Sequence, residues 1–350
     1  MQKIEEIKKI LEKKVLILDG PMGTMIQKEN LTEEDFRGKA FQNFKNPLKG
    51  NNDILNITQE ELIYNIHLSY LKAGADIIET NTFNSTMTSQ KDYNCESYSF
   101  ELNFKGAKLA KNSIEEYMSK NPGHKKLVAG VLGPTNRTCS ISPDVSDPGY
   151  RNITFDELVK DYEVSVEALI KGNVDFIMIE TVFDTLNAKA ALMAINKMEK
   201  KNNLKIPTMI SATITDLSGR TLSGQTIEGF YNSVIHSNPL IIGLNCALGP
   251  KELEPHLIEL SRISETFVSV HPNAGLPNAF GGYDETPESM AKFVKKWGNN
   301  NYINVIGGCC GTTPEHIRQM RDASLKISPR KPLKKSQLLR LSGLEAFNFK

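Results

Sequence analysis

Two adjacent cysteines near the C-terminal end are the residues of this sequence that most directly suggest metal chemistry. Cys309 and Cys310 lie in the stretch GGCCG, residues 307–311, between an apolar run and the helix start signal TTPE. A disulfide between neighbouring cysteines would strain the small ring that it closes. Thiolates are preferred zinc ligands, and flanking glycines allow the tight turn that two adjacent ligands need. The pair therefore predicts two corners of a zinc site.

A third cysteine, Cys246, follows a different apolar run, so local spacing alone does not identify a metal site. If the two runs are neighbouring parallel strands of one barrel, all three thiols lie on the same face. Three thiolates around a tetrahedral zinc ion keep one position for water or substrate. The alternative is that each cysteine is a small buried apolar residue. That alternative is our interpretation of Cys95 and Cys139, which lie in polar loops.

Acidic residues follow two other apolar runs. Glu180 ends one of them, and a buried carboxylate needs a cation, which is either a structural Arg or Lys or the amine of a substrate. In LDGPMGT, residues 18–24, Gly20 and Gly23 can expose N–H groups to a substrate carboxylate while Asp19 accepts an ammonium group. The alternative is a tight glycine turn in which Asp19 binds backbone amides. Further polar residues at predicted strand ends are Glu79, Thr80, Asn81, Thr181, Asn245, His271 and Asn273.

Eight apolar runs must position these residues. They are nearly continuous rather than alternating, as is typical of parallel strands buried on both faces, and they cover 15–19, 75–80, 127–131, 175–180, 207–213, 240–245, 267–273 and 303–308. Helix start signals lie between them: capping boxes at 58–61 and 154–157, and Thr-Pro pairs at 286–287 and 313–314.

Eight strands that alternate with helices predict an α/β fold, a single (β/α)8 TIM barrel over residues 1–326. Long polar loops at 83–96 and 134–153 should then lie on the catalytic face. The competing fold is a doubly wound open sheet, but no strand is followed by the G-x-G-x-x-G turn of a dinucleotide site. His271 is interpreted as a hydrogen-bonded structural residue, and no G-x-S-x-G motif supports a serine hydrolase.

Composition excludes several classes of protein. The 350 residues are 39% hydrophobic and 24% charged, with a formal net charge of +1, which predicts neither nucleic-acid nor membrane-surface partners. The sequence contains no apolar run as long as a membrane helix and begins with no signal peptide. An odd count of five cysteines predicts a reducing, cytoplasmic location. Residues 327–350 are basic and contain prolines, which predicts a linker.

Eight motifs, in order along nearly the whole chain, resemble the homocysteine-binding module of cobalamin-dependent methionine synthases: LDGPMGTMIQ, ETNTFNST, GVLGPTNRT, IETVFDTLNAKAAL, GRTLSGQT, GLNCALGP, HPNAGLPNAFGGYDETPE and GGCCGTTPEHI. The resemblance implies a (β/α)8 barrel with a zinc ion bound by Cys246, Cys309 and Cys310. It implies that Asp19 and Glu180 bind the amino group of homocysteine. Asn273 matches a residue that can occupy the fourth zinc position when substrate is absent.

The implied reaction is attack of the zinc-bound homocysteine thiolate on the methyl group of methylcobalamin, which gives methionine and cob(I)alamin. The resemblance also implies partner modules for cobalamin and methyltetrahydrofolate, in this chain or another, and we expect 327–350 to lead towards the folate-binding module. The main alternative is a stand-alone homocysteine methyltransferase that uses betaine or S-methylmethionine. A zinc hydrolase is disfavoured because an all-thiolate site activates water poorly, and a non-catalytic zinc barrel is a further alternative.

Overall fold

Eight parallel strands form the centre of the protein. The computed structural model describes residues 2–123, 125–215, 218–278 and 282–349. The strands are β1 (Leu16–Ile17), β2 (Ile77–Glu79), β3 (Leu127–Leu132), β4 (Phe176–Val182), β5 (Thr208–Ala212), β6 (Ile241–Asn245), β7 (Phe267–His271) and β8 (Val305–Ile306). From β2 to β8, each strand pairs with the next in chain order, and β8 pairs with β1. A parallel bridge between Leu18 and Ile77 joins β1 to β2. The predicted (β/α)8 barrel and its eight strands are confirmed.

Helices cover the outside of the barrel. The described ranges contain thirteen α-helices: α1 (Gln2–Leu11), α2 (Met22–Lys28), α3 (Glu33–Arg37), α4 (Leu55–Thr58), α5 (Glu60–Ala73), α6 (Met87–Gln90), α7 (Ser99–Lys120), α8 (Phe155–Lys171), α9 (Thr185–Asn202), α10 (Ile227–Val234), α11 (Pro250–Ile263), α12 (Pro287–Asn299) and α13 (Pro314–Ser324). Among the described residues, no helix combines the length and the apolar character that crossing a membrane requires.

Three of the four predicted helix starts are confirmed. Thr154 and Glu157 form the capping box of α8, and Pro287 and Pro314 begin α12 and α13. The capping box predicted at Thr58 is wrong. Thr58 is the last residue of α4, and its hydroxyl donates to the carbonyl of Ile54 (3.3 Å). Its side chain is therefore not available to cap α5, which begins after Gln59 without a side-chain cap.

The apolar core has two parts. Alternate strand residues such as Leu16, Met178 and Met209 fill the barrel interior. Ile7 and Leu11 of α1 join the same cluster and are almost completely buried, so the amphipathic N-terminal helix closes the bottom of the barrel. The remaining strand residues pack outward against the helices and form the larger cluster. The interior is thus a packed core below the polar layer at the carboxyl ends of the strands.

The C-terminal segment runs back along the barrel and ends in a two-stranded antiparallel hairpin, β9 (Leu339–Ser342) and β10 (Ala346–Phe349). The hairpin contacts α10 through polar groups: Ser342 donates to the Gly229 carbonyl, and Asn348 donates to Glu228. Its large apolar side chains, Leu339, Leu341, Phe347 and Phe349, are exposed. A domain boundary near residue 327 stays a prediction.

Candidate active site

A cavity of about 300 Å³ opens at the carboxyl ends of the strands. Residues at or just after the carboxyl ends of β1, β2, β4, β6, β7 and β8 line it, together with the loop after β2 and the start of α2. Six of the seven predicted site residues are among them: Asp19, Gly20, Glu180, Cys246, Cys309 and Cys310. The fold therefore brings together side chains that are up to 291 positions apart in the sequence (310 minus 19).

Three thiols form one cluster in this cavity. The ligand atoms of Cys246, Cys309 and Cys310 all lie within 4.8 Å of one another, and the Sγ atoms of Cys246 and Cys310 are 3.8 Å apart. Zinc–sulfur bonds of about 2.3 Å in a tetrahedral site place two sulfur atoms about 3.8 Å apart. The donor set and its spacing therefore fit a zinc ion with three thiolate ligands and one further position.

The backbone beside the thiols takes unusual conformations. Cys246 and Ala247 both have left-handed backbones, with φ of 62° and 57°, and the Cys246 N–H donates to the His271 carbonyl of β7 (3.0 Å). Gly311 also has a positive φ, +81°, and a Cβ there would lie 2.3 Å from the ring of Tyr283. Such strained positions persist where the surrounding structure enforces them, often at functional sites.

Hydrogen bonding among the thiols distributes their charge unevenly. Hydrogen bonds from Cys246 and Cys309 lower the pKa of Cys310 to about 3. The same contacts, first with Cys246 and then with Cys310, raise the pKa of Cys309 well above its ordinary value. Three thiolates this close together repel one another, so full ionisation of the cluster requires a cation among the sulfur atoms.

Four carboxyl groups line the same cavity. That of Asp53 accepts from Ser85 and Asn84 in the loop after β2, and the other three belong to Asp19, Glu79 and Glu180. Asp19 is buried, its Oδ2 accepts from the Glu79 N–H (3.1 Å), and its Oδ1 has no hydrogen-bond partner among the described residues. Burial raises the pKa of Asp19 and of Glu79 well above their ordinary values, and it raises the pKa of Glu180 to about 8. Among the described residues that line the cavity, none is Lys or Arg. The structural Arg or Lys considered as a partner for Glu180 is therefore not found there.

Asn245 positions Glu180. The register of β4 shifts between Ile179 and Val182, and Thr181 has a left-handed backbone, φ 56°. The Asn245 amide holds this bulge, because its Nδ2 donates to Thr181 Oγ1 (2.8 Å) and to Glu180 Oε2 (3.4 Å). Its Oδ1 accepts from the Thr181 N–H (3.1 Å). A bulge changes the direction of the side chains beside it, and here the adjacent side chain is Glu180, whose carboxyl lines the cavity.

Asn273 and His271 lie deeper. Asn273 is buried, is not among the residues that line the cavity, and has an Oδ1 with no partner in the described part of the chain. His271 lines the cavity, and its Nε2 likewise has no hydrogen-bond partner among the described residues. Burial lowers the pKa of His271 to about 3, so its ring is neutral. The expected hydrogen bond to the His271 ring is therefore not found at Nε2.

The sequence prediction missed Tyr283. Its ring packs over Gly311, and its hydroxyl is hydrogen bonded to the Cys310 sulfur. It lies in the motif HPNAGLPNAFGGYDETPE, of which residues 279–281 fall outside the described ranges. No signal in the sequence places an aromatic residue of this loop beside the thiols, because the contact depends on the fold of the loop.

The two long loops have different places. Phe83 and Asn84 of the first loop line the cavity. None of the described residues of the second loop lines this cavity. That loop is instead anchored to the start of α9, where Ser140 and Leu186 donate to the Asp184 carboxylate.

Comparison with solved structures supports the architecture. The metallated form of the homocysteine methyltransferase MmuM from Escherichia coli aligns with a TM-score of 0.72 at 21% identity, over 92% of this chain and 100% of that chain. Its oxidized form gives the same TM-score and identity over 92% and 99% of the two chains. At this identity the likeness shows the fold alone. The homocysteine S-methyltransferase family model matches residues 16–324. That range includes every strand of the barrel and all three thiols, and the chain belongs to the homocysteine S-methyltransferase family.

Proposed function

We propose that this protein is the methyl-acceptor module of a cobalamin-dependent methionine synthase and transfers a methyl group to the thiol of homocysteine. The observation that carries the proposal is the arrangement of the cavity. Three clustered thiols lie beside the carboxyls of Asp19, Glu79 and Glu180, and the described residues that line the cavity include no Lys or Arg. Homocysteine has the complementary groups, a thiol and an ammonium group.

The thiols of Cys246, Cys309 and Cys310 would hold the zinc ion. Zinc lowers the pKa of a bound thiol, and three thiolate ligands keep the substrate sulfur electron-rich. Tyr283 donates to Cys310 and so stabilises the charge on that ligand. Asn273, whose Oδ1 is buried and unpaired in the described residues, is proposed as a ligand that leaves when homocysteine binds.

The remaining residues would orient the substrate. Asp19 and Glu180 accept hydrogen bonds from the ammonium group, and Asn245 keeps Glu180 directed into the cavity. Gly20 and Gly23 line the cavity at the start of α2, where backbone N–H groups can bind the substrate carboxylate. Fixing both ends of the amino acid aligns its sulfur with the donor, which supplies the entropic part of catalysis.

The methyl transfer is a displacement at carbon. If the donor is methylcobalamin, the homocysteine sulfur would form a bond to its methyl group, and the cobalt–carbon bond would break with its electron pair left on cobalt as cob(I)alamin. The product is methionine, so the protein serves methionine biosynthesis. The donor would be presented by a cobalamin-binding module and remethylated at a methyltetrahydrofolate-binding module, with residues 327–350 as the linker towards it. Five free cysteines support a cytoplasmic location.

The second candidate is a stand-alone homocysteine methyltransferase whose donor is betaine or S-methylmethionine. The match to nearly the full length of the E. coli homocysteine methyltransferase MmuM favours it.

Donor preference tests the proposal. Zinc-loaded protein is mixed with homocysteine and free methylcobalamin, and the visible spectrum and methionine are followed with and without a chelator. Methionine formation that needs zinc supports the cobalamin donor. Turnover with only betaine or S-methylmethionine would support the second candidate. If no methionine forms with any of the three donors, both candidates are contradicted.

A further inference from the structure

We propose that Glu79 is a third residue that binds the ammonium group of the substrate, so that the cavity selects a free primary amine. This inference rests on the proposed function, in which Asp19 and Glu180 bind that group. Glu79 ends β2, lines the cavity and is half-buried. Its backbone N–H donates to Asp19 Oδ2 (3.1 Å), which places the residue beside the first of the proposed ammonium ligands.

Glu79 differs from other buried acids near this face of the barrel. Asp53 also lines the cavity, but it accepts from Ser85 Oγ (2.6 Å) and the Asn84 N–H (2.9 Å). Asp161 accepts from two backbone N–H groups at the start of α6. Hydrogen bonds from these segments account for the burial of both carboxyls. In the described part of the chain, no group donates to the Glu79 carboxyl, so its role there is not to anchor a loop.

With Asp53 bound to its loop, the three remaining carboxyls of the cavity match the number of donors on a primary ammonium group. An ammonium group carries three N–H donors and no acceptor. Asp19 Oδ1 is buried and unpaired among the described residues, Glu180 is held by Asn245 at one oxygen, and Glu79 is the third acceptor. Burial, and then the negative charge of Glu180 and of Asp19, raise the pKa of Glu79. Buried carboxyls this close together can all be ionised only when a cation lies between them.

The test compares two ligands and two charge states at residue 79. One ligand is homocysteine, and the other is 4-mercaptobutyrate, which keeps the thiol and the carboxylate but lacks the amine. Binding of each to zinc-loaded protein is measured by calorimetry for the wild type, Glu79→Gln and Glu79→Asp. Glu79→Gln removes the charge and keeps the size, whereas Glu79→Asp keeps the charge on a shorter side chain.

We expect Glu79→Gln to weaken homocysteine binding about 10- to 100-fold, the usual effect of losing a hydrogen bond between charged groups. Binding of 4-mercaptobutyrate should change less than about twofold, because that ligand has no amine to lose. Glu79→Asp should recover part of the homocysteine affinity. Zinc content should be unchanged in both variants, and Glu61→Gln, which removes an exposed charge from α5, serves as the surface control.

Two outcomes would overturn the inference alone. Equal loss for both ligands would assign Glu79 a purely structural role, and unchanged binding of homocysteine would remove it from the site. Failure of zinc-loaded wild-type protein to bind homocysteine at all would instead overturn the proposed function, and this inference with it.

Discussion

At the scale of single residues, the cluster of three thiols predicts that loss of one thiol removes both zinc and activity. Cys309 is hydrogen bonded to Cys246 and Cys310, and the three ligand atoms lie within 4.8 Å of one another. Because a ligand contributes more than the groups that support it, and loss of a supporting group costs about 10- to 100-fold, Cys309→Ala should lower activity by more than about 100-fold. Bound zinc, measured by elemental analysis after dialysis, should be lost in parallel.

The matched control for that substitution is Cys95→Ala. Cys95 is also a free, buried thiol, but it lies in the loop after β2, and its Sγ contacts only the carbonyl of Tyr93 (3.5 Å) among its described hydrogen bonds. This variant should keep one zinc ion and normal turnover. A Cys309→Ala protein that holds stoichiometric zinc and turns over normally would contradict the proposed metal site.

At the scale of elements, Asp53 connects the turn before α4 to the loop after β2. Burial raises the pKa of Asp53 to about 6, above about 3.9 for a free aspartate. The folded protein therefore binds this proton more tightly than the unfolded chain. The resulting stabilisation is complete below about pH 4 and is lost as the pH rises through about 6. Asp53→Asn removes this pH dependence. The free energy of unfolding of the variant, minus that of the wild type, should therefore rise by up to about 3 kcal/mol between pH 4 and 7.5.

Urea denaturation of both proteins at several pH values measures this difference. Glu34→Gln removes an exposed negative charge from α3 and should change stability by less than about 0.5 kcal/mol at each pH. A constant difference between Asp53→Asn and wild type at all pH values would show that Asp53 does not titrate in this range.

A pair of threonines tests how capping motifs act on helices. Thr154 and Thr58 both begin a T-x-x-E sequence, but only Thr154 forms the capping box. Thr154→Ala should therefore lower the free energy of unfolding by about 1 kcal/mol, the usual effect of losing an N-cap. Thr58→Ala should cost less, because its hydroxyl makes one bond of 3.3 Å to the Ile54 carbonyl. Equal losses in urea denaturation would contradict this assignment.

Long apolar runs predict this fold more securely than four-residue motifs do. The strands were predictable because continuous apolar runs are typical of parallel strands, and the strand ends then placed Cys246 and Cys310 on one face. The capping box at Thr58 failed because the preceding short helix α4 already includes that residue. Such competition between neighbouring elements is not visible in a four-residue motif.

Other features depend on side-chain geometry or on tertiary contacts. The sequence predicts Glu79 to lie at a strand end, but only the fold shows that no described residue donates to its carboxyl. The hairpin of β9 and β10 did have a signal, because LRLS and AFNF alternate around a turn that contains Gly343. The basic, proline-containing composition of the segment before it favoured a linker instead.

At the scale of the whole molecule, Arg330 fastens the segment after α13 to the barrel. Its side chain is 4% exposed, and its guanidinium donates to the carbonyls of Ser261, Ser264 and Thr266. Within the described ranges, no carboxylate pairs with it. Its backbone extends the contact, because Asn304 Nδ2 donates to the Arg330 carbonyl (2.7 Å) beside β8. One side chain thus joins the end of α11, the start of β7 and the C-terminal segment.

Arg330→Gln should therefore destabilise the barrel itself and not only its C-terminal segment. A glutamine is shorter and cannot reach three carbonyls, so buried acceptors lose their donors, at a cost of about 3 kcal/mol. Lys331→Gln removes a neighbouring exposed charge and should change stability by less than about 0.5 kcal/mol. Thermal unfolding of both variants measures the difference. If Arg330→Gln instead unfolded like wild type, the Arg330 side chain would contribute little to the stability of the barrel, and its contacts with Ser261, Ser264 and Thr266 would be energetically neutral.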